Sequence, residues 1–244
     1  MLVGSRPFSG SSKEMKDLLK KVFSVFGVGV YRLPPAQNGH GQQPPRLVVT
    51  SALAHNSKEG LNAFYADQEV AESYLDVEFY PRLVNLLSEK TNYDGKSIAD
   101  VGCGAGHLLN FIQERFRPAS LTGFEYVEAA LAIAQSRVPA AQIKYLNIYD
   151  GSDQTFDVVF CIEVLEHLQY PARALSNVIR MIADSGTALI TVPNGRTDTF
   201  EGHINFWSPE SWSVFVNEIC QGFEVTTGLL ENGQCNFAII KSKK

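Results

Sequence analysis

The chain reads as a doubly wound α/β domain whose sheet has seven strands, mostly parallel, ending in a C-terminal antiparallel hairpin. From about residue 97, apolar runs of strand length alternate with segments of helical period, the pattern of βα units around a parallel sheet. The run Phe156-Asp-Val-Val-Phe-Cys-Ile162 is nearly all apolar, as a central strand covered on both faces requires. The last two strand-like runs, 223–229 and 235–241, flank Asn232-Gly233, a hairpin turn signal.

Before that core, residues 12–26 place Met15, Leu18, Leu19, Val22, Phe23 and Phe26 at helical spacing, with Lys13, Lys16, Lys20 and Lys21 between them. This predicts a basic amphipathic helix, opened by Ser11-x-x-Glu14 as a capping box and closed by Gly27 and Gly29. Such a helix either packs on its own domain or meets a membrane surface or a protein partner. Residues 34–46 hold four prolines, two glycines and three glutamines, a composition that reads as extended linker, with His40 solvated. The domain expectation is therefore a helical arm over 1–33, a linker over 34–60 and one α/β domain over 61–244.

The elements of that domain follow from local pattern. Phe64, Tyr74, Tyr80, Leu83, Leu86 and Leu87 mark a leading helical region. Strands are expected at 97–101, 121–124, 143–146, 156–162 and 187–192, with helices at 108–116 and 127–137. Pro171 suits the first turn of a helix burying Leu175, Val178, Ile179 and Ile182. Ser208-Pro209 opens another, with Trp212, Phe215, Val216 and Ile219 inward.

A formal charge of −5 disfavours the broad basic surface that nucleic acid demands. The cysteines Cys103, Cys161, Cys220 and Cys235 form no C-x-x-C pair, so neither a zinc knuckle nor a disulfide framework is indicated. With no apolar run near the ~20 residues of a membrane span and no signal-peptide pattern, the expected location is cytoplasmic, peripheral at the membrane if the arm binds lipid.

Asp100-Val-Gly102-Cys103-Gly104-Ala-Gly106 lies between an apolar strand and a helix, where open α/β sheets bind ligands. Glycines there let backbone approach a ligand, and the helix N-terminus receives a carboxylate. The dinucleotide fingerprint G-x-G-x-x-G needs glycine at 107, where His107 stands, so a nicotinamide oxidoreductase is disfavoured. Glu125 closes the next strand, placed to accept both hydroxyls of a ribose, and Tyr126 offers a flat face to an adenine.

On these residues the sequence resembles the class I S-adenosylmethionine-dependent methyltransferases, over roughly residues 61–244. D-V-G-C-G-A-G is similar to their first motif, Glu125 to their ribose-binding acid and Phe156-Asp157-Val-Val to their fourth strand. The resemblance implies that Asp100, Gly102, Cys103, Gly104 and Gly106 line the methionine portion, with Glu163 against the cofactor. It places the 147–148 turn, Asn147 and Ile148, by the adenine; many members have an aspartate where Asn147 aligns.

Glu163-Val-Leu-Glu166-His167 follows the fourth strand directly. In a helix the three polar residues would share a face through i, i+3 and i+4 spacing. His203 comes later, ahead of Phe206-x-x-Pro209. This element resembles the ubiquinone-biosynthesis O-methyltransferases and the small-RNA 3′-end methyltransferases, whose corresponding residues hold a divalent cation. The resemblance implies Glu163, Glu166, His167 and His203 as ligands, with magnesium the metal it suggests, whereas mixed oxygen and nitrogen donors favour manganese, iron or zinc. The plain alternative is that Glu163 abuts the cofactor, Glu166 is a helix-start acid, and the histidines are a base and a loop or substrate contact.

The sulfonium methyl is already electrophilic, so the expected work of the protein is alignment, exclusion of water and removal of the acceptor's proton. His167 is the first candidate base and His203 the second. Tyr65, Tyr74, Tyr80 and the 194–207 loop are expected to wall the acceptor pocket. The basic arm on a proline-rich tether resembles the leaders of bacterial methyltransferases of surface-glycan or lipid-linked assembly. The acceptor expectation is thus a hydroxyl on a small molecule, a sugar or glycan, or a lipid-linked phenol. The competing readings are a non-catalytic S-adenosylmethionine-binding subunit and an RNA-end methyltransferase.

Overall fold

A computed structural model describes residues 55–67, 79–88, 92–230 and 233–243. The basic segment 12–26, most of the 34–60 stretch, Tyr74 and Asn232 lie outside the described residues. Two helices lead: α1 (Lys58–Ala66), its amide of Gly60 capped by the Ser57 hydroxyl, and α2 (Phe79–Ser88). Helix α1 thus starts inside the stretch read as linker. The alternation then runs β1 (Ser97–Val101), α3 (His107–Arg115), β2 (Ser120–Glu125), α4 (Glu128–Arg137), β3 (Gln142–Tyr145) and β4 (Phe156–Ile162). It continues through α5 (Pro171–Arg180), β5 (Ile182–Pro193), α6 (Pro209–Ile219), β6 (Glu224–Leu229) and β7 (Cys235–Lys241).

The sheet has seven strands in the order β3-β2-β1-β4-β5-β7-β6. Every pairing from β3 to β5 is parallel, while β7 runs antiparallel to both β5 and β6. Alternate residues of the central strands feed opposite cores, as the period of two dictates. Ala99, Val101, Val159 and Cys161 join the core under α5 and α6. Ile98, Val158 and Phe160 join the one under α2, α3 and α4. That two-faced burial is why 156–162 is apolar at every position but Asp157.

Ile182 is not the last residue of the α5 stripe. The helix stops at Arg180, and Ile182 opens β5 opposite Phe156, with an irregular register before Val158 and left-handed backbone at Ser185. It stays buried because the strand carries it into the same core. In α6, Trp212 and Val216 are buried as expected, whereas Phe215 and Ile219 pack at the core margin. Among the described residues no helix is long and apolar enough to cross a membrane.

Candidate active site

The strand order reverses direction between β1 and β4, and ligands of open α/β sheets sit at the carboxyl ends of such neighbours. There the loop 102–106 turns from β1 into α3, with Gly102, Gly104 and Gly106 all in left-handed backbone. At Gly104 an added Cβ would also lie 2.7 Å from the Tyr65 hydroxyl, so glycine lets α1 cross the loop in contact with it. Glu125 clamps this loop from β2: one carboxylate oxygen accepts from the Gly104 amide at 2.9 Å, the other from Tyr126 and Val127 at 2.7 and 3.0 Å. Burial raises its pKa, and the three amides oppose that rise.

A cavity of about 70 Å³ opens beside the loop, lined by Phe79, Tyr80, Asp100, Gly102, Cys103, Leu108, Ile162 and Glu163. Its lining carries two carboxylates and no basic side chain. Burial, with the Glu125 charge added, pushes Asp100 up to about 8. Burial pushes Glu163 up as well, while the Cys235 thiol donates to its Oε1 at 3.2 Å.

A second cluster sits beyond β4. Glu163 takes left-handed backbone (φ 54°) and the chain then makes a single 3-10 turn, Leu165–His167. The expected shared helical face therefore does not form. Glu163 goes to the cavity, and the group of mutually close metal-capable atoms, all within 4.8 Å, consists of Glu166, His167 and His203. His203 is delivered by the 194–207 loop, which is stitched to that turn. The amides of Ile204 and Asn205 donate to the Glu166 carbonyl, and the Asn205 side chain donates to the Leu168 carbonyl at 2.7 Å. The neck of this loop is closed by the Gly195 amide donating to the Trp207 carbonyl, at a spot where a Cβ would meet Phe206 backbone at 2.5 Å.

The hydrogen bonds fix the tautomers of both imidazoles. His167 Nδ1 lies 3.2 Å from the Gly202 carbonyl and 3.0 Å from Asn56 Oδ1, and His203 Nδ1 lies 2.6 Å from Asp198 Oδ2. Carbonyl oxygens and a carboxylate serve as acceptors here, which assigns the proton of each ring to its δ nitrogen. Each Nε2 then carries the lone pair of its ring and lies 3.9 Å from Glu166 Oε1. Glu166 is fully buried, and among the described residues neither of its carboxylate oxygens has a hydrogen-bond partner. Burial and the Glu163 charge hold its pKa well above the usual carboxylate range. Burial first, then His203, pulls His167 down to about 3; burial lowers His203 too, but the Asp198 hydrogen bond opposes it.

Known proteins place this architecture. The family model described as a methyltransferase domain matches residues 71–227, well over half of the chain. The chain belongs to the class I S-adenosylmethionine-dependent methyltransferases. The ubiquinone biosynthesis O-methyltransferase of Pseudomonas fluorescens is 34% identical over 121 residues, covering 47% of this chain and 51% of that one. That of Pseudomonas putida is 33% identical over 124 residues, 48% of this chain and 53% of that one. The methyltransferase thus spans about half the length of the curated relatives it matches. Among solved structures, the N-methyltransferase NodS of Bradyrhizobium japonicum, in complex with S-adenosylhomocysteine, shares the fold at TM-score 0.61 and 18% identity, over 78% of this chain and all of that one. The DhpI complex with S-adenosylhomocysteine does so at 0.61 and 14%, over 79% and 98%.

The methyltransferase cavity fits the family's donor. S-adenosylmethionine carries an ammonium and a sulfonium besides its carboxylate, and among the described residues the lining offers the cations the buried Asp100 and the part-buried Glu163 with no basic side chain. At about 70 Å³ the cavity is far below the ~300–1,000 Å³ of whole-ligand pockets, so it suits the amino-acid end alone. A raised carboxyl pKa favours the folded protein at low pH and loses that advantage as pH rises through the folded value. A bound cation reverses this by ionising the group. S-adenosylhomocysteine binding at pH 7 is therefore expected to release protons from wild-type protein and fewer from Asp100→Asn. Calorimetry in buffers of different ionisation enthalpy measures it, and identical apparent heats in every buffer would refute the assignment.

The other expected positions fall as follows. Tyr126 lies half-exposed beside Tyr145 at 6.4 Å, with the Lys58 ammonium 5.7 Å from its ring. Asn147 makes the turn after β3: its Oδ1 accepts from the Tyr149 amide, and the neighbouring Ile148 carbonyl accepts from Asn177. Tyr80 lines the cavity and Tyr65 covers Gly104. Sequence reasoning missed three residues at the histidine cluster. Asn56 bonds both His167 and the Gly202 carbonyl, His55 has its ring 6.5 Å from that of His167, and Asp198 holds His203. His55 and Asn56 stood in the stretch read as linker, and Asp198 in a loop without periodicity.

Proposed function

We propose that this methyltransferase is O-directed, transferring the methyl group to a hydroxyl of a small molecule, a sugar or a lipid-linked phenol, with the Glu166-His167-His203 cluster beside the acceptor. The observation that carries the reading is the approach of two imidazole Nε2 atoms to one buried carboxylate that has no hydrogen-bond partner among the described residues. A hydroxyl must lose its proton as it attacks, and a positioned base or metal serves that step. The curated relatives over half their length are named O-methyltransferases, which supports the same reading.

S-adenosylmethionine supplies the electrophilic methyl. In this reading Asp100 and Glu163 receive its cationic end, Gly102, Cys103, Gly104 and Gly106 bring backbone against it, and Glu125 takes the ribose hydroxyls. Tyr126 and the Asn147-Ile148 turn flank the adenine, with the Asn147 amide nitrogen left to meet its edge. Tyr65, Tyr80 and the 194–207 loop exclude water and orient the acceptor. His203 takes the acceptor proton in preference to His167, reversing the order expected from sequence, because a carboxylate rather than a neutral carbonyl sits behind its ring.

The same three side chains suit a divalent cation. Glu166 Oε1, His167 Nε2 and His203 Nε2 would hold manganese or magnesium in place of the base role: a ring bound to the metal no longer takes the proton, and the metal itself would lower the pKa of a hydroxyl on it. Glu163 stands outside this set.

The test is S-adenosylhomocysteine formation with a catechol, a monophenol, a methyl glycoside, a 3′-terminal ribonucleotide and a primary amine, each with chelator and with manganese. Turnover confined to hydroxyl acceptors and raised by manganese is expected. Methylation of the amine alone would overturn the reading.

A further inference from the structure

We propose that Asp198 is the positioning residue of this site, fixing His203 as the Nδ1–H tautomer so that its Nε2 lone pair faces Glu166 and His167. The inference rests on the reading of His203 given above and adds a residue that neither the sequence motif nor the metal-capable cluster contains.

The geometry is over-determined on the Asp198 side. One carboxylate oxygen takes the His203 Nδ1 proton at 2.6 Å, and the other accepts the Phe200 amide at 3.1 Å. The Thr197 and Asp198 amides both donate to the Asn194 carbonyl, and Asn194 Oδ1 accepts from the Arg196 amide. The carboxylate therefore sits on a closed turn at the base of the loop and has no freedom to follow the ring. Its side chain is 8% exposed and that of His203 11%, so water does not compete for the bond. A short, charge-assisted hydrogen bond of this kind sets ring orientation as well as tautomer. The Phe200 ring, 4.8 Å from His203, and the His167 ring, 4.6 Å away at 68°, bracket the imidazole.

His167 is held differently, by the Gly202 carbonyl and the Asn56 amide. The two imidazoles thus aim at the same carboxylate but only His203 has a charge behind it. A carboxylate behind an imidazole raises its basicity whether the ring takes a proton or coordinates a metal. This division is chemical, and it separates two histidines that the sequence leaves equivalent.

The test uses the full chain, treated with chelator and labelled with 15N-histidine. The chain has five histidines, so long-range proton–nitrogen spectra are tractable, and His203→Gln assigns the resonance. At neutral pH His203 is expected as the Nδ1–H tautomer. In Asp198→Asn the Phe200 amide retains the amide oxygen, the NH₂ group faces His203 Nδ1, and the ring is expected to switch to Nε2–H. Asp198→Glu is expected to restore Nδ1–H. Manganese affinity and turnover should fall about 10–100-fold in Asp198→Asn and partly recover in Asp198→Glu, with S-adenosylhomocysteine affinity within twofold of wild type throughout as the check on folding. An Nε2–H tautomer in the wild type, or an unchanged tautomer in Asp198→Asn, would overturn the proposal. Full turnover in His203→Gln would instead overturn the functional reading of His203, a failure visible apart from the tautomer result.

Discussion

His203→Ala is expected to lower turnover by about 10²–10⁴-fold, the usual contribution of a positioned proton-transfer group, while S-adenosylhomocysteine affinity stays near wild type. His167→Ala should cost less, because burial pulls that imidazole to about 3 and only neutral groups back its δ nitrogen. Glu166→Gln separates chemistry from stability. The wild-type carboxyl is fully buried without a hydrogen-bond partner among the described residues, and its pKa is held well above the ordinary range. Such a group stabilises the fold only at low pH, and its cost grows as pH rises above the unfolded value. Glu166→Gln should therefore lose turnover as His203→Ala does, yet melt no lower than wild type, with a gain that widens from pH 5 to pH 8. Thermal scans across that range, beside initial rates, check both halves. A destabilised variant with full activity would place Glu166 among structural residues.

Glu125→Ala is expected to lower S-adenosylhomocysteine affinity by about 10–100-fold, since charged hydrogen bonds of ~1.5–3 kcal/mol are removed. The structure adds a consequence that a ribose contact alone lacks. The same carboxylate collects the Gly104, Tyr126 and Val127 amides, so Glu125→Ala also leaves three donors short of an acceptor and should lower the melting temperature. Glu125→Gln keeps acceptor capacity toward the 126–127 amides and should melt closer to wild type while still binding weakly. Calorimetry and thermal denaturation of the pair distinguish the roles. Wild-type affinity in Glu125→Ala would remove it from the nucleoside site.

The fold was legible in this sequence because each strand announces its surroundings. Phe156–Ile162, apolar but for Asp157, lies at the centre, and Gly233 marks the turn before an antiparallel β7 that breaks the parallel order. The glycine loop and Glu125 were legible for a similar reason: they are local, and the backbone there has few alternatives. The histidine site was only half legible. Its members are Glu166 and His167 from one motif and His203 from another, but the shared helical face did not form, since left-handed backbone at Glu163 sends that side chain to the cavity instead. Nothing local signals Asn56, which meets His167 across 111 residues, or Asp198, whose role depends on how a loop closes around Gly195. Ile182 shows the converse case, where helix and strand bury the same residue and the pattern alone places it in the wrong element.

The most direct test is a calorimetric titration of manganese into chelator-treated protein saturated with S-adenosylhomocysteine. The account predicts a saturable heat that His203→Ala abolishes and Asp198→Asn weakens. S-adenosylhomocysteine binding without any manganese response at millimolar concentration would contradict it.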